Sequence, residues 1–183
     1  FTVDELTKAF DFDRVDTVGP VFDLEKLTWL NGTYLREQSD AEFLAAAQPF
    51  LPAGVSGAAI TPVLAALRER TKRLSDLPDQ LTWLATDPPV PTVSELTAKG
   101  LPVETLPDTL GAIAETLERL DPFEPATIES AIDGVVTQRE ANRRRLFMST
   151  RVAVVGGPVS PPLHETIAAL GRERTVARLR AAA

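Results

Sequence analysis

Apolar residues recur at helical intervals along most of the chain, and this spacing constrains the fold more than any other feature. Leucine, isoleucine and valine stand mostly three or four positions apart in the stretches 63–77, 110–120 and 128–136. Such spacing places them on one face of an amphipathic α-helix. Signals for β-strands are scarce, and the best candidate, 151–155, is short and lacks a partner strand. The sequence therefore predicts an all-α protein of roughly eight to ten short helices.

Residues that cap helices indicate where the helices begin. Capping boxes, in which Ser or Thr is followed three residues later by Glu, start at Thr2, Ser39 and Thr92. A Thr-Pro pair at 61–62 and a Ser-Pro pair at 160–161 are typical of an N-cap followed by proline in the first helical turn. We therefore expect helices to start at all five positions.

Other residues indicate where helices end. The stretch capped by Asp23 predicts a packed helix that stops at Asn31-Gly32, and Gly171 is typical of a helix C-terminus. The clearest break is the segment 87–91, which holds three prolines in five residues and cannot continue a helix. We expect it to be a linker between two helical bundles. The predicted segments are 1–38, 39–90 and 91–183.

Composition argues against several kinds of site. The chain has no cysteine, so thiolate nucleophiles, thiolate metal sites and disulfides are excluded. The single histidine, His164, has no recognisable nucleophile beside it, so we expect neither catalytic residues nor a metal site. No apolar run approaches the ~20 residues that span a bilayer. The only methionine is Met148 and the first residue is Phe1, so we expect a piece of a longer protein.

Charge is distributed unevenly along the chain. The net charge is −7, yet residues 136–183 carry nine Lys and Arg against three Asp and Glu. Arginines cluster at 68–73 and at 139–151. The guanidinium group presents a planar fork of donors that suits phosphate groups and base edges. From the residues alone, either a nucleic-acid surface or an ordinary solvated surface would explain these clusters.

Three long segments share a pattern with one protein family. They are FDFDRVDTVGPVFDLEKLTWLNGTYLRE (10–37), RERTKRLSDLP (68–78) and STRVAVVGGPVSPPLHETIAALGRERTVARL (149–179). Together they resemble the C-terminal part of bacterial glutamyl-tRNA synthetases. Arg73 stands where the family commonly has Thr, and Val155 also stands where Thr is usual. The stretch 75–135 matches the family only in its pattern.

The resemblance implies two consecutive helical-bundle subdomains that form an α-helical cage around the anticodon arm of tRNA. Residues 1–38 would then be the end of the region that contacts the tRNA stem. Catalysis, with its ATP and Mg, would lie in a domain upstream, so this chain alone would hold no cofactor and catalyse nothing. The implied partner is tRNA-Glu in the cytoplasm, bound by a monomer that contacts neither DNA nor membrane.

Site residues follow from the positions that match the family. Arg70 matches the reader of the third anticodon base, where cytosine presents the acceptors O2 and N3 to a guanidinium and guanine presents donors. Arg151 matches the contact to the other bases, and Ser160 and Leu163 match a helix start that bonds to and packs on bases. As contacts to the RNA backbone we add Arg68, Arg143, Arg144 and Arg145.

A second function remains open from the sequence. The chain would also suit a freestanding helical scaffold for protein interactions that is related to this domain. Such a scaffold would have lost tRNA binding and would show no salt-dependent affinity for RNA. An independent hydrolase has little support, because no nucleophile–base pair can be identified.

Overall fold

Helices are the regular secondary structure of the computed structural model, which describes residues 2–14, 19 and 21–183. Residues 15–18 and 20, which belong to the segment 10–37, lie outside the described residues, as does residue 1. Thirteen α-helices and no β-strand occur in the described ranges, which confirms the all-α prediction. The helices are α1 (Val3–Ala9), α2 (Leu24–Glu37), α3 (Asp40–Ala47), α4 (Gly57–Ile60), α5 (Leu64–Arg70), α6 (Leu77–Gln80), α7 (Thr82–Ala85), α8 (Val93–Thr97), α9 (Leu106–Glu118), α10 (Pro125–Gln138), α11 (Arg143–Val155), α12 (Leu163–Leu170) and α13 (Arg172–Ala182).

Most of the predicted caps are confirmed. Thr2, Ser39 and Thr92 each form both reciprocal bonds of a capping box. Asp23 accepts hydrogen bonds from two backbone amides in the first turn of α2. Gly171, with φ +86°, ends α12 as expected. These caps satisfy amide and carbonyl groups that have no partner inside their helices.

The two proline pairs behave differently from the prediction. Thr61 starts a 3₁₀ turn, Thr61–Val63, and its hydroxyl donates to the carbonyl of Gly57 at 3.2 Å instead of capping a helix. Ser160 does not cap α12, because that helix begins only at Leu163, after Pro162. The Ser160 hydroxyl is therefore available for contacts with other parts of the chain.

The predicted stop at Asn31-Gly32 is wrong, since α2 continues through both residues to Glu37. The Asn31 amide donates to the carbonyl of Lys72 at 2.5 Å, and an added Cβ at Gly32 would lie 3.4 Å from the Lys72 Cα. Glycine here allows a neighbouring backbone to approach the helix. Lys72 also follows the end of α5 at Arg70, so the apolar pattern 63–77 is divided between separate helices.

The one strand candidate, 151–155, is helical, because these residues form the second half of α11. Val152, Ala153 and Val154 are all buried there, at 5% exposure or less. The strand preference of β-branched residues depends strongly on context and yields to packing. The helices outnumber the expected eight to ten because α4, α6 and α7 contain only four residues each.

Side chains from α3 to α13 form one continuous hydrophobic core. Helix α9 packs against α10 and α13, and most of the apolar residues at the predicted positions are buried, with Leu120 and Val136 partly buried. Helix α12 packs against both α10 and the turn Thr61–Val63, so the core crosses from segment 39–90 to segment 91–183. The division into two subdomains stays a prediction.

The predicted linker has no helical structure from Asp87 to Thr92, and it is held against the later helices. Two arginines of α13 bind the Asp87 carboxylate. Gly156 ends α11 with φ +80°, and a Cβ there would lie 2.6 Å from the Pro88 Cβ. A side chain at Gly156 would therefore collide with the linker.

The first segment is the least buried part of the described chain. Helix α1 has no buried residue, and α2 buries only Gly32 and Leu35. Several large apolar side chains of this segment are exposed, including Phe22 and Trp29. In the ranges that the structure describes, no helix combines the length and the hydropathy needed to cross a bilayer.

Candidate nucleic-acid interface

A groove of ≈ 590 Å³ lies where α5, the region of α6 and α7, and the loop between α11 and α12 meet. Its lining includes Arg70 at the end of α5, Trp83 in α7, the linker prolines and the segments 155–157 and 159–161. Most of these groups are apolar, and such a surface suits the flat face of an aromatic ring. The charged groups in the groove then decide which ring would bind.

The structure brings together three of the predicted site residues, Arg70, Arg151 and Ser160. The Arg70 Nη1 donates to the Ser160 carbonyl at 2.6 Å, although the two residues are 90 positions apart. The Arg151 Nε donates to the Ser160 Oγ at 3.1 Å. The hydroxyl in turn donates to the Pro161 carbonyl at 2.7 Å. One serine therefore orients two guanidinium groups.

These two guanidinium groups form a concentrated positive charge. Burial, followed by the neighbouring charge of Arg70, lowers the pKa of Arg151. Arginine stays protonated in proteins, so both groups remain cationic. Neither Arg70 nor Arg151 forms a salt bridge with a described residue. Their remaining N–H donors suit an anion or a base edge rich in acceptors.

Leu163 lies elsewhere than its predicted role requires. It is the first residue of α12 and only 2% exposed, so its side chain packs in the core and not on the groove surface. The exposed apolar side chain beside the site is Val159, at 79% exposure, which the sequence reasoning did not select. The only signal for Val159 in the sequence is its position directly before Ser160.

The four arginines expected to contact the RNA backbone differ in their surroundings. Arg68 donates to the Gln38 carbonyl at 2.8 Å and pairs with Asp40 at 2.7 Å. Arg143 pairs with Glu129 and Asp133 and lies over the Phe147 ring, with its guanidinium carbon 4.2 Å from the ring centre. Two of the four therefore already hold carboxylates.

The remaining two, Arg144 and Arg145, are exposed in the first turn of α11. Asn142 caps this helix by accepting from the Arg145 amide at 3.1 Å. Arg151 lies on the same helix, about 9 Å further along the axis, at 1.5 Å per residue. Exposed cations are therefore present on the helix that leads into the groove.

No group of three His, Cys, Asp or Glu residues in the described ranges could hold a metal ion. His164 lies in α12 with its Nδ1 3.9 Å from a carboxylate oxygen of Glu129. This contact lies beside the Arg143 ion pairs, since Glu129 takes part in both. The expectation that the chain has no metal site and no catalytic residue stays a prediction.

Comparison with known proteins gives a family match. The model of a family described as "Anticodon binding domain" matches residues 42–183. The glutamate–tRNA ligase of Herpetosiphon aurantiacus is 33% identical over an alignment of 192 positions, gaps included, which covers 100% of this chain and 39% of that protein. The glutamate–tRNA ligase of Thermus thermophilus is 32% identical over 186 residues, covering 98% of this chain and 38% of the relative. The chain thus spans about two fifths of the relatives' length.

Solved structures show the same fold. A glutamate tRNA ligase from Elizabethkingia meningosepticum superposes with a TM-score of 0.83 at 23% identity, covering 96% of this chain and 35% of that one. A glutamate-tRNA synthetase from Elizabethkingia anophelis gives 0.80 at 23% identity, with 98% of this chain covered and 35% of that chain. At this identity the superpositions establish the fold alone.

Proposed function

Because the chain belongs to the anticodon-binding domain family, we propose that it recognises the anticodon of tRNA-Glu as the C-terminal part of a glutamate–tRNA ligase. The observation that carries the proposal is the pair Arg70 and Arg151, which Ser160 holds together where Arg70 lines the groove. Two cations with unused donors, one in a largely apolar groove and one beside it, favour an unstacked base next to a phosphate.

Arg70 would read the third anticodon base. The Ser160 carbonyl takes one of its donors, which orients the fork, and other guanidinium donors remain. Cytosine offers two adjacent acceptors, O2 and N3, to such a fork, whereas guanine places its own N–H groups there. Arg70 would therefore favour cytosine over guanine, and Arg151 would contact the neighbouring bases.

The backbone of the anticodon loop would then follow α11. Arg144 and Arg145 are exposed there and would contact its phosphates. Arg68 and Arg143 would first have to exchange their carboxylates for phosphates, so their contribution to affinity would be smaller. Leu163 would support the groove from the core instead of touching a base.

The proposal extends to the whole enzyme. ATP and Mg would be used in a catalytic region that this chain does not contain, and the chain itself would act only in binding. It would work as a monomer in the cytoplasm. The relatives' shared name supports this assignment, since glutamate–tRNA ligases align with this chain over nearly all of its length.

The test compares the affinity of the chain for two tRNA-Glu transcripts that differ only in having C or G at the third anticodon position. The wild-type chain should prefer C, and Arg70→Ala should reduce that preference by about 1–3 kcal/mol, the worth of a good bidentate base contact. Arg119→Ala removes an exposed arginine elsewhere and should keep the preference. Equal affinity of the wild type for both transcripts would refute the role of Arg70.

A further inference from the structure

Arg178 of α13 binds more internal acceptors than any other arginine described. Its side chain is 9% exposed, and its Nη1 donates to the Val154 carbonyl at 2.6 Å. Its Nη2 lies 2.9 Å from the Trp83 carbonyl, 3.0 Å from the Thr86 carbonyl and 2.7 Å from the Asp87 carboxylate. A single guanidinium therefore joins three segments that are distant in sequence, namely α7 with its linker, α11 and α13.

Arg174, one turn earlier in α13, extends this arrangement. It donates to the Leu84 carbonyl at 2.7 Å and to the Asp87 carboxylate at 2.9 Å. Several of the carbonyls involved belong to the last turns of α7 and α11, where no intrahelical donor is available. A cation at a helix C-terminus is also favoured by the helix dipole. Arg178 and Arg174 thus satisfy the ends of two helices together.

Both of these helix ends line the candidate groove. Two segments of its lining, or walls, are involved: one includes Trp83, Thr86 and Asp87, and the other includes Val155 and Gly156. Arg178 contacts the first wall directly and the second through Val154, the residue before Val155. Arg178 therefore fixes these two lining segments relative to each other.

The connection reaches the recognition site along α11. Arg151 precedes Val154 by three residues, about one helical turn, so the Arg178 bond fixes the same part of that helix. The Asp87 carboxylate keeps Arg178 in place, and its hydrogen bond from Arg178, followed by that from Arg174, lowers the pKa of Asp87 to about 2. The ion pair is therefore intact at neutral pH.

We propose that Arg178 is a positioning residue for anticodon recognition, which fixes the two walls relative to each other and the placement of Arg151 without touching RNA. The inference rests on the proposed function. Lysine cannot replace Arg178. The guanidinium donates to both walls from separate nitrogens in a planar fork, whereas the single ammonium nitrogen of lysine cannot reach acceptors on both walls. Loss of Arg178 should therefore impair discrimination between anticodons and leave the helices folded.

The experiment uses Arg178→Lys, Arg178→Met and Asp87→Ala in the whole chain, with Arg180→Met as the control. Arg180 lies on the same helix but pairs only with the exposed Glu118. Affinities are measured for the C and G transcripts, and hydrogen exchange is measured on the free chain. Far-ultraviolet circular dichroism establishes which variants are folded.

In the folded Arg178 variants, the ratio of affinities for the C and G transcripts should fall about tenfold, which is the typical size of coupling between neighbouring groups. Exchange should become faster at 83–87 and at 152–157, and Arg180→Met should match the wild type in both measurements. An unchanged preference in any folded Arg178 variant overturns the proposal. It also fails if neither Arg178 variant nor Asp87→Ala folds, because Arg178 would then serve general stability.

A separate outcome addresses the proposed function itself. If the wild-type chain binds neither transcript, anticodon recognition fails, and the hydrogen exchange of the free chain alone decides whether Arg178 holds the groove walls. Faster exchange in both walls of Arg178→Met would support that role. Unchanged exchange there would overturn it.

Discussion

Ser160 contacts the two arginines of the site through different atoms. Its backbone carbonyl binds Arg70, and its side-chain hydroxyl binds Arg151. Any residue at this position keeps the carbonyl, so the first contact depends on the path of the chain and the second on the identity of the side chain. The two arginines can therefore be perturbed separately.

We expect Ser160→Ala to weaken tRNA binding by about 0.5–1.5 kcal/mol, the net worth of one hydrogen bond. Arg151→Ala should cost more, about 1–3 kcal/mol, because it removes the group that contacts RNA. Dissociation constants from fluorescence anisotropy would measure both. The control is Ser130→Ala, whose hydroxyl bonds only within α10. Equal losses in Ser160→Ala and Arg151→Ala would contradict this division of roles.

Gly156 leads to a prediction about stability. Its φ of +80° disfavours any side chain, and a Cβ would lie 2.6 Å from the Pro88 Cβ. Gly156→Ala should lower the free energy of unfolding by about 1–3 kcal/mol, as is typical of a non-glycine residue held in this region. Urea denaturation would measure the change. Gly111→Ala in α9, with nothing within 4 Å of the added Cβ, should instead stabilise by about 0.5–1 kcal/mol.

At the residue scale, the sequence selected three residues that the structure brings together. Arg70, Arg151 and Ser160 were selected because they match family positions, and in the structure they contact one another. The burial of Leu163 could not be predicted, because it depends on where α12 begins. If α12 began directly after Ser160, the Leu163 side chain would point in a different direction from the one it takes with the observed start at Leu163.

At the element scale, the helix starts marked by capping boxes were predictable, whereas the two proline-marked starts and helix continuity were not. The capping boxes at Thr2, Ser39 and Thr92 depend on contacts within four residues, which the sequence displays. The passage of α2 through Gly32 depends instead on the backbone of Lys72, 40 positions away. Similarly, the helical form of 151–155 depends on burial against distant helices.

The linker gives a prediction about pH at the element scale. Since Arg178 and Arg174 lower the pKa of Asp87 from 3.8 to about 2, the ionised form stabilises the folded chain. This contribution is complete above the unfolded pKa and is lost as the pH falls toward 2. The difference in unfolding free energy between wild type and Asp87→Asn should be constant above about pH 5 and shrink below pH 4. Urea titrations at each pH would measure it, and a difference that does not change with pH would disprove the linkage.

At the scale of the whole molecule, most of the basic excess of residues 136–183 is used internally. Arg172 donates to the Leu120 carbonyl and lies over the Phe123 ring. Others hold carboxylates or helix ends, namely Arg143, Arg174, Arg178 and Arg180. The sequence could show the excess but not this division, because internal and external arginines look the same in a linear chain. Fewer cations therefore face a partner than the charge count indicates.

The dependence of binding on salt separates a tRNA-binding domain from a protein-interaction scaffold. Each phosphate contact to single-stranded RNA contributes a slope of about −0.7 to the logarithm of affinity against the logarithm of salt concentration. Replacing both Arg144 and Arg145 with Ala should therefore make the slope shallower by about 1.4. Arg119→Ala should leave it unchanged, since this arginine lies at the far end of α9, outside the groove lining and α11. Affinity for tRNA-Glu that does not vary with salt would favour the scaffold, because nucleic-acid binding without counterion release contradicts contact with the phosphate backbone.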